Sequence, residues 1–138
     1  VKKVQTVLIA IALGGLGVLG RAQGADRSPT DGMDGAALFK TYCSSCHGTG
    51  AKGDGPIADA LRYRPADLTA LARRAKGHFD RQAIHRMIDG RVPVKGHGGP
   101  DMPLWGDAFK HSGDGYSEQA VRERIDLLVA YLEGLQQP

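Results

Sequence analysis

Cys43-Ser44-Ser45-Cys46-His47-Gly48 is the stretch from which the rest of the chain can be read. On a helix, positions i, i+3 and i+4 share a face, so Cys43, Cys46 and His47 point together. Two thiols and an imidazole on one face suit a porphyrin. Each sulfur adds to one haem vinyl group, and the adjacent His is placed to ligate the iron. C-x-x-C has two competing readings. A thioredoxin-like redox pair wants a βαβ context, and half of a zinc site wants two more Cys or His at suitable spacing. The adjacent His and the helical setting favour one covalently bound haem c, with Cys43 and Cys46 as thioether donors and His47 as the proximal ligand. The motif occurs once, so one haem is expected.

Upstream of the motif, Asp34 can cap a helix on which Leu38, Phe39, Tyr42, Cys43 and Cys46 recur at helical spacing up to His47. Downstream, Gly48, Gly50, Gly53 and Gly55 end that helix and open a tight loop. These glycines lie in neither a P-loop nor a dinucleotide-binding pattern, which excludes a phosphate cradle. Residues 57–63 and 67–76 read as short helices divided by Arg64-Pro65, with Asp67 or Thr69 near a cap. A clearer helix runs from the Asp80 cap to Gly90 with Ala83, Ile84, Met87 and Ile88 on one face. Residues 91–115, rich in Gly and Pro, read as a long loop, and loops of that length are commonly functional. Ser117 caps the last helix, whose apolar positions Val121, Ile125, Leu128, Leu132 and Leu135 form a stripe. A stripe of this kind must pack on something. Its comparably periodic partner is the first helix, with Gly35, Phe39 and Tyr131 near the contact. No strand pattern and no internal repeat interrupts this all-α reading.

The first residues do not belong to that domain. Lys2 and Lys3 precede an uncharged run of aliphatics and glycine over 7–20, and Ala22 and Gly24 are small residues placed for cleavage before Ala25. The expected organisation is a signal peptide over 1–24, a polar lead-in over 25–33 and one domain over 34–138, exported to the periplasm. The apolar run falls short of the roughly 20 residues that span a bilayer, and retention as an N-terminal anchor is the alternative. The chain has 18 basic and 15 acidic residues. Losing Lys2, Lys3 and Arg21 with the leader leaves 15 of each, so the sequence pI of about 9.0 does not argue for nucleic-acid binding. Charge is nonetheless uneven, with nine basic residues against three acidic ones over 62–95. Both cysteines of the chain lie in the motif, which excludes a disulfide framework. Aromatic residues make up only 6% of the chain, thin for a core, and an apolar macrocycle would supply the missing interior.

Candidates for a second iron ligand are Met33, Met87, Met102, His78, His85, His97 and His111. Met33 is close to the motif in sequence, Met87 lies on an apolar helix face where Met is core filling, and His78, His85 and His111 read as surface residues. Met102 stands alone between Pro100 and Pro103, which stiffen its approach. It is the first candidate, with His97 as the alternative.

Gly35 and Phe39 ahead of the Cys43 to Gly48 stretch, then Gly55-Pro56, Met102-Pro103 and Val129-Ala130-Tyr131-Leu132, stand in the order found in class I c-type cytochromes. The chain resembles those single-haem electron carriers of bacterial periplasms and of mitochondria, and stretches 53–56 and 64–69 resemble bacterial members more. The resemblance implies a domain of about four to five helices around the haem, with terminal helices crossing at Gly35 and Tyr131. It implies His47 and Met102 as axial ligands and the Pro56 carbonyl as acceptor of the His47 Nδ1 hydrogen. Segment 103–115 departs from the family pattern. Its Trp105, or Arg62, Arg64 or Arg91, is a candidate for bonding a haem propionate.

A His/Met pair fills both axial positions, which leaves electron exchange as the iron's task and makes the chain a single-electron carrier rather than an enzyme. Its partners would be a redox donor and acceptor docking weakly at the haem edge, with no nucleic acid, and with a membrane only if the leader is retained. The chain would be a monomer or a subunit. The alternatives are a dedicated subunit of a periplasmic oxidoreductase or oxidase, a peroxidase-like or ligand-sensing haem protein in which Met102 dissociates, and a thiol-disulfide oxidoreductase.

Overall fold

The computed structural model describes residues 33–91, 102–112 and 117–138. The signal peptide over 1–24, residues 25–32 of the lead-in and the alternative ligand His97 lie outside the described residues. Six α-helices appear among those described: α1 Gly35–Tyr42, α2 Ser44–His47, α3 Leu71–Arg74, α4 Arg81–Asp89, α5 Trp105–Lys110 and α6 Glu118–Gly134. Two 3-10 turns, Ala58–Ala60 and Leu68–Ala70, join them, and no strand is present among the described residues. The all-α class stands. The count exceeds four to five because the first helix divides and α5 is added.

Local chemistry starts the helices where the sequence places them. Asp34 accepts the Ala37 N–H at 2.8 Å, Asp80 accepts the Ala83 N–H at 2.9 Å, and Ser117 accepts the Ala120 N–H at 3.2 Å. Each cap satisfies an amide that the helix start would otherwise leave without a partner. Gly90, with φ of 70°, ends α4 in the left-handed region.

The terminal helices cross as expected. Val121, Ile125, Leu128, Val129 and Leu132 of α6 pack with Leu38 and Phe39 of α1, each 4% exposed or less. At the crossing a Cβ on Gly35 would lie 2.2 Å from the Leu127 carbonyl oxygen and 2.8 Å from the Tyr131 Cβ, so only glycine permits this approach. The Phe39 and Tyr131 rings sit 5.4 Å apart beside it. Ile88 from α4, Phe109 from α5 and Ala51 from the loop after α2 complete the core.

Three expectations change. Residues 91–115 are not wholly a loop, because α5 forms within them. Phe109 is 1% exposed and lies under the guanidinium of buried Arg124, 5.4 Å from the ring centroid, while Tyr42, Trp105 and Phe109 meet at 5.2–5.6 Å. Tertiary packing therefore makes a six-residue helix that has no side-chain cap to announce it. The helices expected over 57–63 and 67–76 shrink to a 3-10 turn and to a 3-10 turn that runs into α3. The helix leading to His47 is broken at Cys43, where φ reaches −114°. The Thr41 hydroxyl donates to the Ala37 carbonyl at 2.9 Å and the Ser44 hydroxyl to the Lys40 carbonyl at 2.6 Å. Back-bonding of this kind bends helices.

Among the described residues, no helix is long and apolar enough to cross a membrane.

Candidate functional site

α2 and the residue before it bring Cys43, Cys46 and His47 together, all three half-buried and both cysteines free of a disulfide. The glycine-rich loop then folds back onto this short helix. Ile57 N–H donates to the Ser45 carbonyl at 3.2 Å, Gly55 N–H to that of Cys46 at 3.1 Å, and Gly53 N–H to that of His47 at 2.9 Å. Three carbonyls that a helix end leaves open are thus satisfied by the loop that follows. Gly53 has φ of 77°, and a Cβ there would lie 2.2 Å from the Pro65 carbonyl oxygen. Its bare backbone lets residues 65–68 press against the loop, and the Leu68 N–H donates to the Ala51 carbonyl at 2.7 Å.

That contact decides how the imidazole is held. His47 Nδ1 lies 3.1 Å from the Ala66 carbonyl oxygen. A carbonyl only accepts, so the hydrogen is on Nδ1 and the lone pair is on Nε2, the tautomer suited to ligation through Nε2. The expected acceptor, Pro56, does not take this role. The amides of Gly55 and Ile57 on either side of it are drawn onto α2, and Pro56 itself is exposed. Ala66 takes its place because the Gly53 approach carries the 65–68 backbone to the ring.

Burial pushes the His47 pKa below its ordinary value, partly offset by the bond to Ala66. The neutral ring is the form that binds metal. Burial also pushes the Cys43 thiol up to about 12, with Cys46 adding to the rise. A redox dithiol works through a lowered pKa, so this environment does not suit a thioredoxin-like pair. Among the described residues, no group of three or more His, Cys, Asp or Glu could hold a metal ion, which leaves the zinc reading without its further ligands.

A covalently attached haem fits this donor set. Tyr42, Leu68, Phe79, Ile84, Met102 and Trp105 each pack on the core yet stay only partly buried, so apolar surface is left for a macrocycle to cover. Met102 is one of these residues and lies three positions before α5. Met33 also packs on the core, and Met87 is half-buried on α4. His78 and His111 are exposed, and His85 Nε2 lies 3.5 Å from Asp126.

The remaining candidates are not brought together. Arg62 and Arg64 are exposed, with the Arg62 guanidinium 5.3 Å from the Tyr63 ring centroid. Trp105 packs on Tyr42 and Phe109. Arg91 bonds two carboxylates. Its Nε and one terminal nitrogen each donate to Asp89 at 2.8 Å, and the other terminal nitrogen donates to Glu118 at 3.0 Å. These bonds hold the Asp89 carboxyl below its ordinary range and raise the Arg91 pKa. Lys110 also pairs with Glu118, whose pKa is lowered by Lys110 first and then by Arg91. A cleft of about 350 Å³ opens here, lined by His85, Arg86, Asp89, Arg91 and Glu118. None of Cys43, Cys46, His47 and Met102 lines it.

Sequence reasoning missed Ala66. It acts through its backbone, which leaves no mark on residue identity.

Residues 30–132 match the family described as cytochrome C oxidase, cbb3-type, subunit III. No curated protein and no solved structure matches the chain.

Proposed function

The chain belongs to this family of c-type cytochromes, and on that footing we propose that it is a single-electron carrier with Cys43 and Cys46 as the haem attachment points and His47 and Met102 as axial ligands. The observation that carries the reading is the His47 ring, held through Nδ1 by the Ala66 carbonyl beside two free thiols on one helix end. The haem c of the family, when bound, supplies a reversible one-electron couple.

The chain's own residues do the rest. Cys43 and Cys46 fix the macrocycle against the helix, so that it cannot leave between oxidation states. Ala66 orients the imidazole and strengthens it as a donor. Met102 offers a neutral thioether that closes the sixth position against small ligands and favours the reduced iron. Partly buried apolar side chains such as Tyr42 and Trp105 would help shield the haem from water, and Trp105, Arg62, Arg64 and Arg91 are the candidates for the propionates. A donor and an acceptor would dock weakly at the haem edge, on the periplasmic side of a membrane.

The family's description favours a second reading, in which the chain works as a subunit of an oxidase and passes electrons within the complex rather than by diffusion. A monomer in periplasmic extract supports the free carrier, and co-purification with a membrane complex supports the subunit.

Optical spectra of the purified protein, oxidised and reduced, test the ligand assignment. Wild type is expected to show haem c absorption with a weak Met-to-iron charge-transfer band, which Met102→Ala abolishes while the haem stays attached. Persistence of that band in Met102→Ala would overturn Met102 as ligand. Carbon monoxide binding to reduced wild type at neutral pH would point instead to a ligand-binding haem protein.

A further inference from the structure

Just beyond α6, the side-chain amide of Gln136 joins two separate parts of the chain. Its Nε2 donates to the Leu68 carbonyl at 2.8 Å and to the Leu132 carbonyl at 2.7 Å, and its Oε1 accepts the Ala72 N–H at 2.8 Å. Both Nε2 hydrogens are used, and three bonds fix the plane of the amide. The next residue adds a fourth link, Gln137 N–H to the Thr69 carbonyl at 3.0 Å. Together they strap residues 68–72 to the end of α6.

The strapped run continues directly from Ala66, the acceptor for His47. Only Asp67 lies between Ala66 and Leu68, and it has little freedom. Its carboxylate accepts the Thr69 N–H at 2.9 Å and the Thr69 hydroxyl at 2.7 Å, and its carbonyl accepts from Arg74 at 2.7 Å. From the motif side the run is held by the Leu68 N–H bond to Ala51. The Ala66 carbonyl therefore lies two residues ahead of Leu68, whose N–H is held by the motif loop and whose carbonyl is held by Gln136 at the end of α6.

We propose that Gln136 is a positioning residue for the proximal imidazole. By holding 68–72 on α6, it fixes the Ala66 carbonyl against His47 Nδ1 and so sets how strongly the ring donates to the iron. This rests on the reading of His47 as a haem ligand. A firm Nδ1–H to carbonyl bond strengthens the imidazole as a donor and favours the oxidised iron. Slackening the strap therefore moves the midpoint potential upward.

Arg81 and Glu133 supply the control, because their ion pair ties the same end of α6 to α4 and touches nothing in 66–72. The experiment compares holoprotein of wild type, Gln136→Ala, Gln136→Glu and Arg81→Ala by potentiometry and by solvent exchange of the His47 Nδ1–H in the reduced state. Gln136→Glu keeps an oxygen for Ala72 but has no donor for Leu68 or Leu132. Both Gln136 variants are expected to raise the potential and to speed Nδ1–H exchange by about tenfold or more, while Arg81→Ala leaves both unchanged. An unchanged potential and exchange rate in a folded Gln136 variant overturns the proposal, as does an equal change in Arg81→Ala. Wild type alone also tests it. The Ala72 N–H and the His47 Nδ1–H are expected to exchange through one opening with the same denaturant dependence, and an Nδ1–H that stays protected while Ala72 opens overturns the strap. A wild type without haem absorption overturns the proposed function and the strap with it. A haem-bound wild type with insensitive variants overturns the strap alone.

Discussion

The crossing of α1 with α6 and the stretch from Cys43 to Arg74 are built on opposite plans. At the crossing, large side chains do the work, from Leu38 and Phe39 on one helix to Leu128 and Leu132 on the other. Along 43–74 the buried residues are small, such as Ala51, Ala58, Thr69 and Ala70 besides glycines, and single hydrogen bonds set the path. Stability is concentrated where the chemistry is not. The motif segment is precise but thinly packed, which suits a stretch whose apolar interior is completed by its cofactor.

Leu128→Ala strains this contrast most. It should cost about 3–4 kcal/mol in denaturant unfolding while leaving the haem absorption maxima in place. A spectral change as large as the stability loss would mean that the two regions are not separable. Gly35→Ala is expected to cost about 2–3 kcal/mol, since its methyl must displace the Leu127 backbone, again with little spectral effect. Asp67→Ala should invert the balance. Losing its bonds to Thr69 costs about 1 kcal/mol, yet it frees the residue next to Ala66, and the midpoint potential should move. An unmoved potential would show that the 65–68 backbone is held without Asp67.

The smallest effect is electrostatic. The bond from Arg91 is the largest cause holding the Asp89 carboxyl below its ordinary value, and the side chain is 16% exposed. A folded pKa below the unfolded one gives stabilisation that is present above about pH 4 and fades as pH falls through the folded value. Thermal melts of wild type should therefore lose stability below about pH 4 more steeply than those of Arg91→Gln. Parallel curves would leave the Asp89–Arg91 pair without a stabilising role.

Side-chain pattern made the packed region legible in advance. The stripe on α6, the caps Asp34, Asp80 and Ser117, and the contact of Gly35 and Phe39 with Tyr131 all stand where periodicity and resemblance put them. The motif segment was legible only at its titratable and sulfur-bearing residues. Cys43, Cys46 and His47 announce their chemistry by type and spacing, but what orients His47 is the backbone oxygen of an alanine. A carbonyl is the same on every residue, so its selection over Pro56 depends on which loop lies closest. α5 was hidden for a related reason. Its warrant is Phe109 under Arg124 and beside Tyr42, a long-range contact absent from any local window.

The meeting of Gly35 with the Leu127 carbonyl also has a topological meaning. It closes a ring of roughly 90 residues, whose ends cost about 4 kcal/mol plus a constant to bring together, as the logarithm of loop length requires. Everything from the cysteines to α5 hangs inside that ring. The seam is thus a clasp, and it is a long-range contact of the kind that costs most chain entropy to form. The hydrogen bonds of the motif loop to α2 lie within that circle and do not themselves close it.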